Sequence, residues 1–269
     1  MTRYFLAIPG IAFLLCLLLS PALAQTTPGT PPPSSGASAT PAQAAPLSDE
    51  DMAKLYLIRK EYVGAEVLFR KLTRQQPKNA LYWNELGISL HNQSELGPAM
   101  KCYEKSAKVD SHYADPVNNI GTVWYERKKY PKAIRAYKRA IGIKGDSASF
   151  YMNLGYAYFA DKKYEESIAS FHKVLQLDPQ AFDQANSRTG TVVQDRSLDA
   201  DRGRFYFLLA KSFAQAGNLE RCVIYLRKAR DEGFKDMDAA KSDPAFAGVL
   251  KDPAIQEILF PAPPPTAQP

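Results

Sequence analysis

The chain has 269 residues, of which 45% are hydrophobic and 23% charged, and its formal net charge is +6. Its three histidines and three cysteines show no zinc-ligand spacing, which argues against a Cys/His metal site. The basic balance brings anionic contacts, lipid headgroups or nucleic acid, into consideration, to be weighed against where the charges fall.

Residues 1–24 stand apart from the rest. Arg3 supplies a positive start, Phe5 to Leu19 is almost wholly apolar, and Ala22-Leu23-Ala24 is a small-x-small site. This is the pattern of a secretory signal peptide and predicts cleavage after Ala24, leaving a periplasmic or secreted protein. The alternative is an uncleaved membrane anchor, since the run approaches the ~20 residues that cross a bilayer. Cys16 lies between leucines, where a lipid-acceptor cysteine would want small residues before it. Residues 25–46 contain no large apolar side chain and are predicted to form a disordered Pro/Ala/Ser/Thr-rich linker. A spacer is the plain reading of it, and a proline-rich ligand for a partner is the sharper one.

From Leu47 the chain repeats itself every 34 residues. Gly155 has counterparts at Gly121, Gly87 and Ala53, and Leu154 at Ile120, Leu86 and Met52. Tyr158 maps to Trp124, Leu90 and Tyr56. Phe171 maps to Tyr137, Tyr103 and Phe69, and Ser167 to Ala133, Ala99 and Ala65. Each unit reads as two amphipathic helices joined by a short turn, with small residues where helices cross and large ones where they interlock. Two short helices cannot bury such faces alone, so neighbouring units must stack. This aromatic-xx-Leu-Gly-xx-Tyr…Ala-xxx-Phe…Pro pattern resembles the tetratricopeptide repeat family, over roughly 47–234. The resemblance implies an all-α tetratricopeptide (TPR) solenoid in a right-handed superhelix, with four contiguous repeats over 47–179.

Residues 180–204 interrupt the period. Asp195, Asp199 and Asp201 lack the glycine and glutamate of a calcium loop, so a lengthened loop or helix turn is expected there. A fifth repeat is predicted over 205–234, on Tyr206, Leu209, Ala210, Phe213, Cys222, Leu226 and Ala229. The matching segments from Asp243 and Asp252 each place Asp before Pro, a helix-starting pair, and a helical cap is predicted over 235–260. The tail 261–269 reads as disordered. Cys102 and Cys222 fall in repeats two and five, too far apart to bond, and both are expected to be structural.

No phosphate loop, nucleophile elbow or paired metal-binding histidines occur, so the expectation is a protein that is not an enzyme and needs no cofactor and no metal. The TPR resemblance implies instead a concave groove, lined by the first helix of each repeat, that takes a protein or peptide. Carried over residue by residue, the groove positions are Asn84 and His91, then Asn118, Asn119, Thr122 and Tyr125. Repeat four supplies Met152, Asn153, Tyr156 and Phe159, and repeat five Arg204, Phe207 and Lys211. Asparagine amides offer donors and an acceptor together and so can bracket a peptide unit. Groove cations are confined to Lys54, Arg204 and Lys211, which argues against a clamp for a C-terminal carboxylate.

Arg127, Lys128, Lys129, Lys132, Arg135, Lys138 and Arg139 form a basic cluster on a turn and the outward face of a second helix. No nucleic-acid partner is expected, because no base-stacking motif accompanies the charges. Membrane contact is expected only through that convex face or an uncleaved N-terminal segment. The functional expectation is a protein-binding scaffold or adaptor of the cell envelope. Its alternative is a subunit of an envelope assembly, such as secretion, pilus or outer-membrane biogenesis, contacting partners through the basic face or the 180–204 insertion.

Overall fold

The computed structural model describes residues 47–182 and 201–261. The signal-peptide, linker and tail expectations, and most of the 180–204 insertion, lie outside the described residues. Within them there are twelve α-helices and no strand. Helices α1 (Asp49–Ile58), α3 (Ala80–Asn92), α5 (Ala114–Glu126), α7 (Ala148–Ala160) and α9 (Arg202–Gln215) are the first helices of five hairpins. Their partners are α2 (Tyr62–Gln75), α4 (Leu96–Val109), α6 (Tyr130–Ile143), α8 (Tyr164–Leu177) and α10 (Leu219–Asp231). Each helix packs on the next in sequence. Starts at Ala80, Ala114 and Ala148 keep the period, and the next first helix waits until Arg202, inside the segment read as an insertion.

The turn inside every hairpin is built the same way. Lys60, Ser94, Lys128 and Lys162 have φ of 60°, 65°, 56° and 60°, and Gly217 has 72°. The residue after each donates its N–H five residues back. Glu61 bonds to Tyr56 O (2.8 Å), Glu95 to Leu90 O (2.9 Å), Lys129 to Trp124 O (2.9 Å), Lys163 to Tyr158 O (2.8 Å) and Asn218 to Phe213 O (2.9 Å). This closure satisfies carbonyls that the helix end leaves open, and it requires a left-handed residue. An L side chain in that conformation costs roughly 1–2 kcal/mol, part of which a glycine returns through its looser unfolded chain. Lys128→Gly is therefore expected to raise stability by up to about 1 kcal/mol, read as a higher urea midpoint at unchanged slope.

Packing between the two helices of a hairpin follows one rule three times over. A Cβ at Gly87 would lie 2.5 Å from the Tyr103 ring, one at Gly121 2.5 Å from Tyr137, and one at Gly155 2.5 Å from Phe171. All three rings are essentially inaccessible to solvent. Ala65, Ala99, Ala133 and Ser167, the small residues expected at crossings, are all fully buried, and Ser167 Oγ donates to Gly155 O at 2.9 Å.

The C-terminal end is closed by α11 (Ala239–Ser242), a 3-10 turn at Pro244–Phe246 and α12 (Pro253–Leu259). Asp243 accepts from Ala245 N at 2.9 Å, and Asp252 from Ala254 N at 2.8 Å, so both Asp-Pro pairs start turns as their spacing predicts. Phe246, Val249, Ile255, Ile258 and Leu259 are buried in one cluster with Phe213 and Leu226 of the fifth hairpin. An apolar end would otherwise face water, and such caps keep repeat arrays soluble. Cys102 and Cys222 are buried and unbonded. Burial pushes their thiols up to about 11 and about 12, which keeps them protonated at neutral pH.

Candidate functional groove

Across repeats, α3 touches α5 and α5 touches α7, so the first helices crowd the inner radius and line the concave wall. Asn84, Asn118, Asn119, Thr122, Tyr125, Met152, Asn153, Phe159 and Phe207 are buried there, while His91, Tyr156, Arg204 and Lys211 are half-buried. The asparagines form one hydrogen-bonded ladder. Asn153 Nδ2 donates to Asn118 Oδ1 (3.1 Å), Asn118 Nδ2 to Asn119 Oδ1 (3.4 Å), and Asn119 Nδ2 to Asn84 Oδ1 (3.0 Å). Asn84 Nδ2 then donates to the Glu85 carboxylate at 3.3 Å. The two bonds between repeats run toward the N-terminal end, the two within a helix pass to the following residue, and a carboxylate oxygen accepts the last of them.

The remaining predicted residues are held by the protein itself. His91 bridges Tyr103 (3.3 Å) and Glu126 (2.8 Å). Tyr156 stacks on Phe205 at 5.7 Å, and Phe159 meets the same ring edge-on at 5.5 Å. Phe207 packs on Phe234 and Phe246, joining the fifth hairpin to the cap. Met152, Phe159 and Phe207 thus belong to the hydrophobic cluster that runs into the cap. Arg204 pairs with Asp201 at 2.8 Å and lies over the Tyr164 ring. Lys211 pairs with Asp243 of the cap (2.9 Å) and with Glu165 (3.2 Å). Lys54 pairs with Glu50 at 2.6 Å. The three groove cations are therefore all neutralised internally.

Two acids that sequence reasoning passed over face the same wall. Glu85 sits 34 residues before Asn119, in its register, so the repeat alignment alone points to it. Its carboxyl is raised, first by burial, against the Asn84 bond, and Asp115 nearby adds repulsion. Asp115 reaches solvent, yet the surrounding protein still raises its carboxyl by desolvation, with Lys144 opposing at a distance. Among the described residues neither carboxylate has a Lys or Arg within ion-pair range, in contrast to Glu50 beside Lys54. Among the described residues no group of three or more His, Cys, Asp or Glu side chains is placed to hold a metal ion. No helix among them is long and apolar enough to cross a membrane.

Residues 121–162 match the family described as TPR repeat, and residues 148–181 match the tetratricopeptide repeat. The helical hairpins form a TPR solenoid. No curated protein matches the sequence. Among solved structures, one of MamA is 19% identical, covers 71% of this chain and 98% of its own, and has a TM-score of 0.48. YrrB, described as a TPR protein with an unusual peptide-binding site, is 16% identical, with 72% and 89% covered and a TM-score of 0.45. The first TPR of Spaghetti (RPAP3), bound to the HSP90 peptide SRMEEVD, is 27% identical, with 40% and 86% covered and a TM-score of 0.38.

Proposed function

We propose that this protein is a non-enzymatic scaffold or adaptor that holds a protein or peptide segment along the concave groove. The observation that carries this reading is a wall of mutually bonded amides beside two carboxyls, Glu85 and Asp115, that desolvation disfavours as anions and that form no ion pair among the described residues. A bound segment placing a Lys or Arg side chain between them would offset the cost of their charge and draw both carboxyls back toward the ordinary range, and its backbone would run over the polar wall. The partner is thus a chain with at least one basic side chain in its bound stretch. We place the protein in the cell envelope, a location supported by the leader-like residues 1–24.

Crosslinking-coupled capture from native envelope, using wild type beside Glu85→Gln/Asp115→Asn, tests the reading. A partner lost only from the variant is expected, and equal capture would overturn it. The pH dependence separates binding from folding. Both folded-state pKa values lie above their unfolded ones, so the two groups favour the fold at low pH, and that contribution is lost as pH rises through the raised values. Binding of a basic segment runs the other way and weakens as the carboxylates protonate. Thermal melts should accordingly show Glu85→Gln no less stable than wild type at neutral pH, with a flatter profile just above the ordinary carboxylate range.

A further inference from the structure

The convex side carries a charge pattern that the groove does not use. Lys71, Lys105, Arg139 and Lys173 occupy one position on the second helix of successive repeats, and Lys228 takes it in the fifth. On α4 and α6 this row is doubled by Lys101 and Arg135, with Lys132 and Lys138 alongside, all exposed. Several other cations, Lys71 of this row among them, are matched: Lys71 to Asp49 (2.6 Å), Arg70 to Glu66 (2.7 Å), Lys163 to Asp161 (2.7 Å) and Lys241 to Asp238 (2.7 Å). Lys101, Lys105, Lys132, Arg135, Lys138 and Arg139 have no carboxylate within ion-pair range among the described residues, and Glu104 is the single acid on these two helices.

We propose that the convex face of α4 and α6 docks on an anionic lipid bilayer. Charge complementarity and shape together select that occupant. The cations stand on flexible stems over an outward-curving pair of helices, which suits a broad layer of mobile phosphates better than a single bound ion. The nearby indoles are closed to stacking: Lys105 covers Trp83 at 5.9 Å, and Lys132 and Arg127 cover Trp124 at 4.3 and 5.7 Å. Single-stranded nucleic acid relies on open aromatic faces, and both of these half-buried indoles already carry a cation. Docking on this face leaves the first helices, and the groove they line, turned away from the membrane and open to a partner.

The test uses residues 46–269, whose five hairpins and cap close a continuous core without the apolar leader that would itself enter vesicles. Vesicles with about 30% phosphatidylglycerol should bind the protein at about 0.15 M salt, and those of phosphatidylcholine alone should not. Lys101→Glu/Lys105→Glu/Arg135→Glu/Arg139→Glu should weaken binding on the order of 100-fold or more, with helix content and melting unchanged. The control Lys78→Glu/Lys144→Glu/Lys235→Glu/Lys251→Glu makes the same change in net charge elsewhere on the exposed surface and should retain most of the binding. Equal loss in both variants, equal binding to both vesicle types, or tighter binding to a single-stranded RNA oligomer than to anionic vesicles would each overturn the proposal.

Discussion

Gly121→Ala is expected to destabilise the array by about 1–2 kcal/mol, although alanine is the better helix former. The added methyl would sit 2.5 Å from the Tyr137 ring, which has no solvent side to move into. Relief requires the ring to leave its rotamer or α5 and α6 to separate, and either change propagates to the next repeat. Tyr137→Ala should cost more, about 3–5 kcal/mol, because it empties a ring-sized volume and removes the bond from Tyr137 Oη to Thr122 Oγ1 (3.3 Å). The pair should not be additive. With the ring gone the methyl at position 121 meets no obstacle, so urea unfolding of the double variant should show less loss than the two single changes summed. Strict additivity would mean that the glycine is there for some reason other than this contact.

The second large effect lies in the ladder. Asn119→Ala removes the donor to Asn84 and the acceptor of Asn118 in one step, inside a buried wall. Each polar group deprived of its partner there costs roughly 1–3 kcal/mol, so a loss of about 2–3 kcal/mol is expected. The exposed Asn92, whose amide bonds only to Ile88 O of its own helix, is the control, and Asn92→Ala should change little. Urea midpoints for the two variants check this, and similar values would show that the ladder bonds contribute nothing beyond a surface amide. The prediction also bears on how binding is tested. An asparagine variant that fails to capture a partner has lost stability as well as groove chemistry, whereas Glu85→Gln alters the groove and keeps the acceptor that Asn84 needs.

The architecture was largely legible in the sequence because it is written by spacing. A period of 34 residues with glycine facing a ring places the crossing points of each hairpin, and Gly87, Gly121 and Gly155 meet Tyr103, Tyr137 and Phe171 as that spacing implies. The Asp-Pro pairs at Asp243 and Asp252 announce the cap, since a side-chain acceptor followed by a residue without N–H has one economical use. The unbonded state of Cys102 and Cys222 follows from repeats that contact only their neighbours.

The groove was legible only as a face. Periodicity states which way a side chain leaves its helix, but not how near the next helix stands. On the inner radius of a superhelix the groove and the neighbouring helix lie in almost the same direction. Register ties Asn119 to Asn153 at 34 residues, yet the bonds form between residues 35 apart, Asn84 with Asn119 and Asn118 with Asn153. Burial on this wall raises the Glu85 carboxyl, Arg204 is spent on Asp201 three residues earlier, and Lys211 is spent on Glu165 of α8 and Asp243 of the cap. By itself the sequence determined the hairpins, their number, their crossing points and the cap, because each depends on contacts local in the chain or one repeat away. Tertiary structure decided which polar side chains remain for a partner, because that depends on the distance between first helices, a quantity set by the packing of all the repeats together.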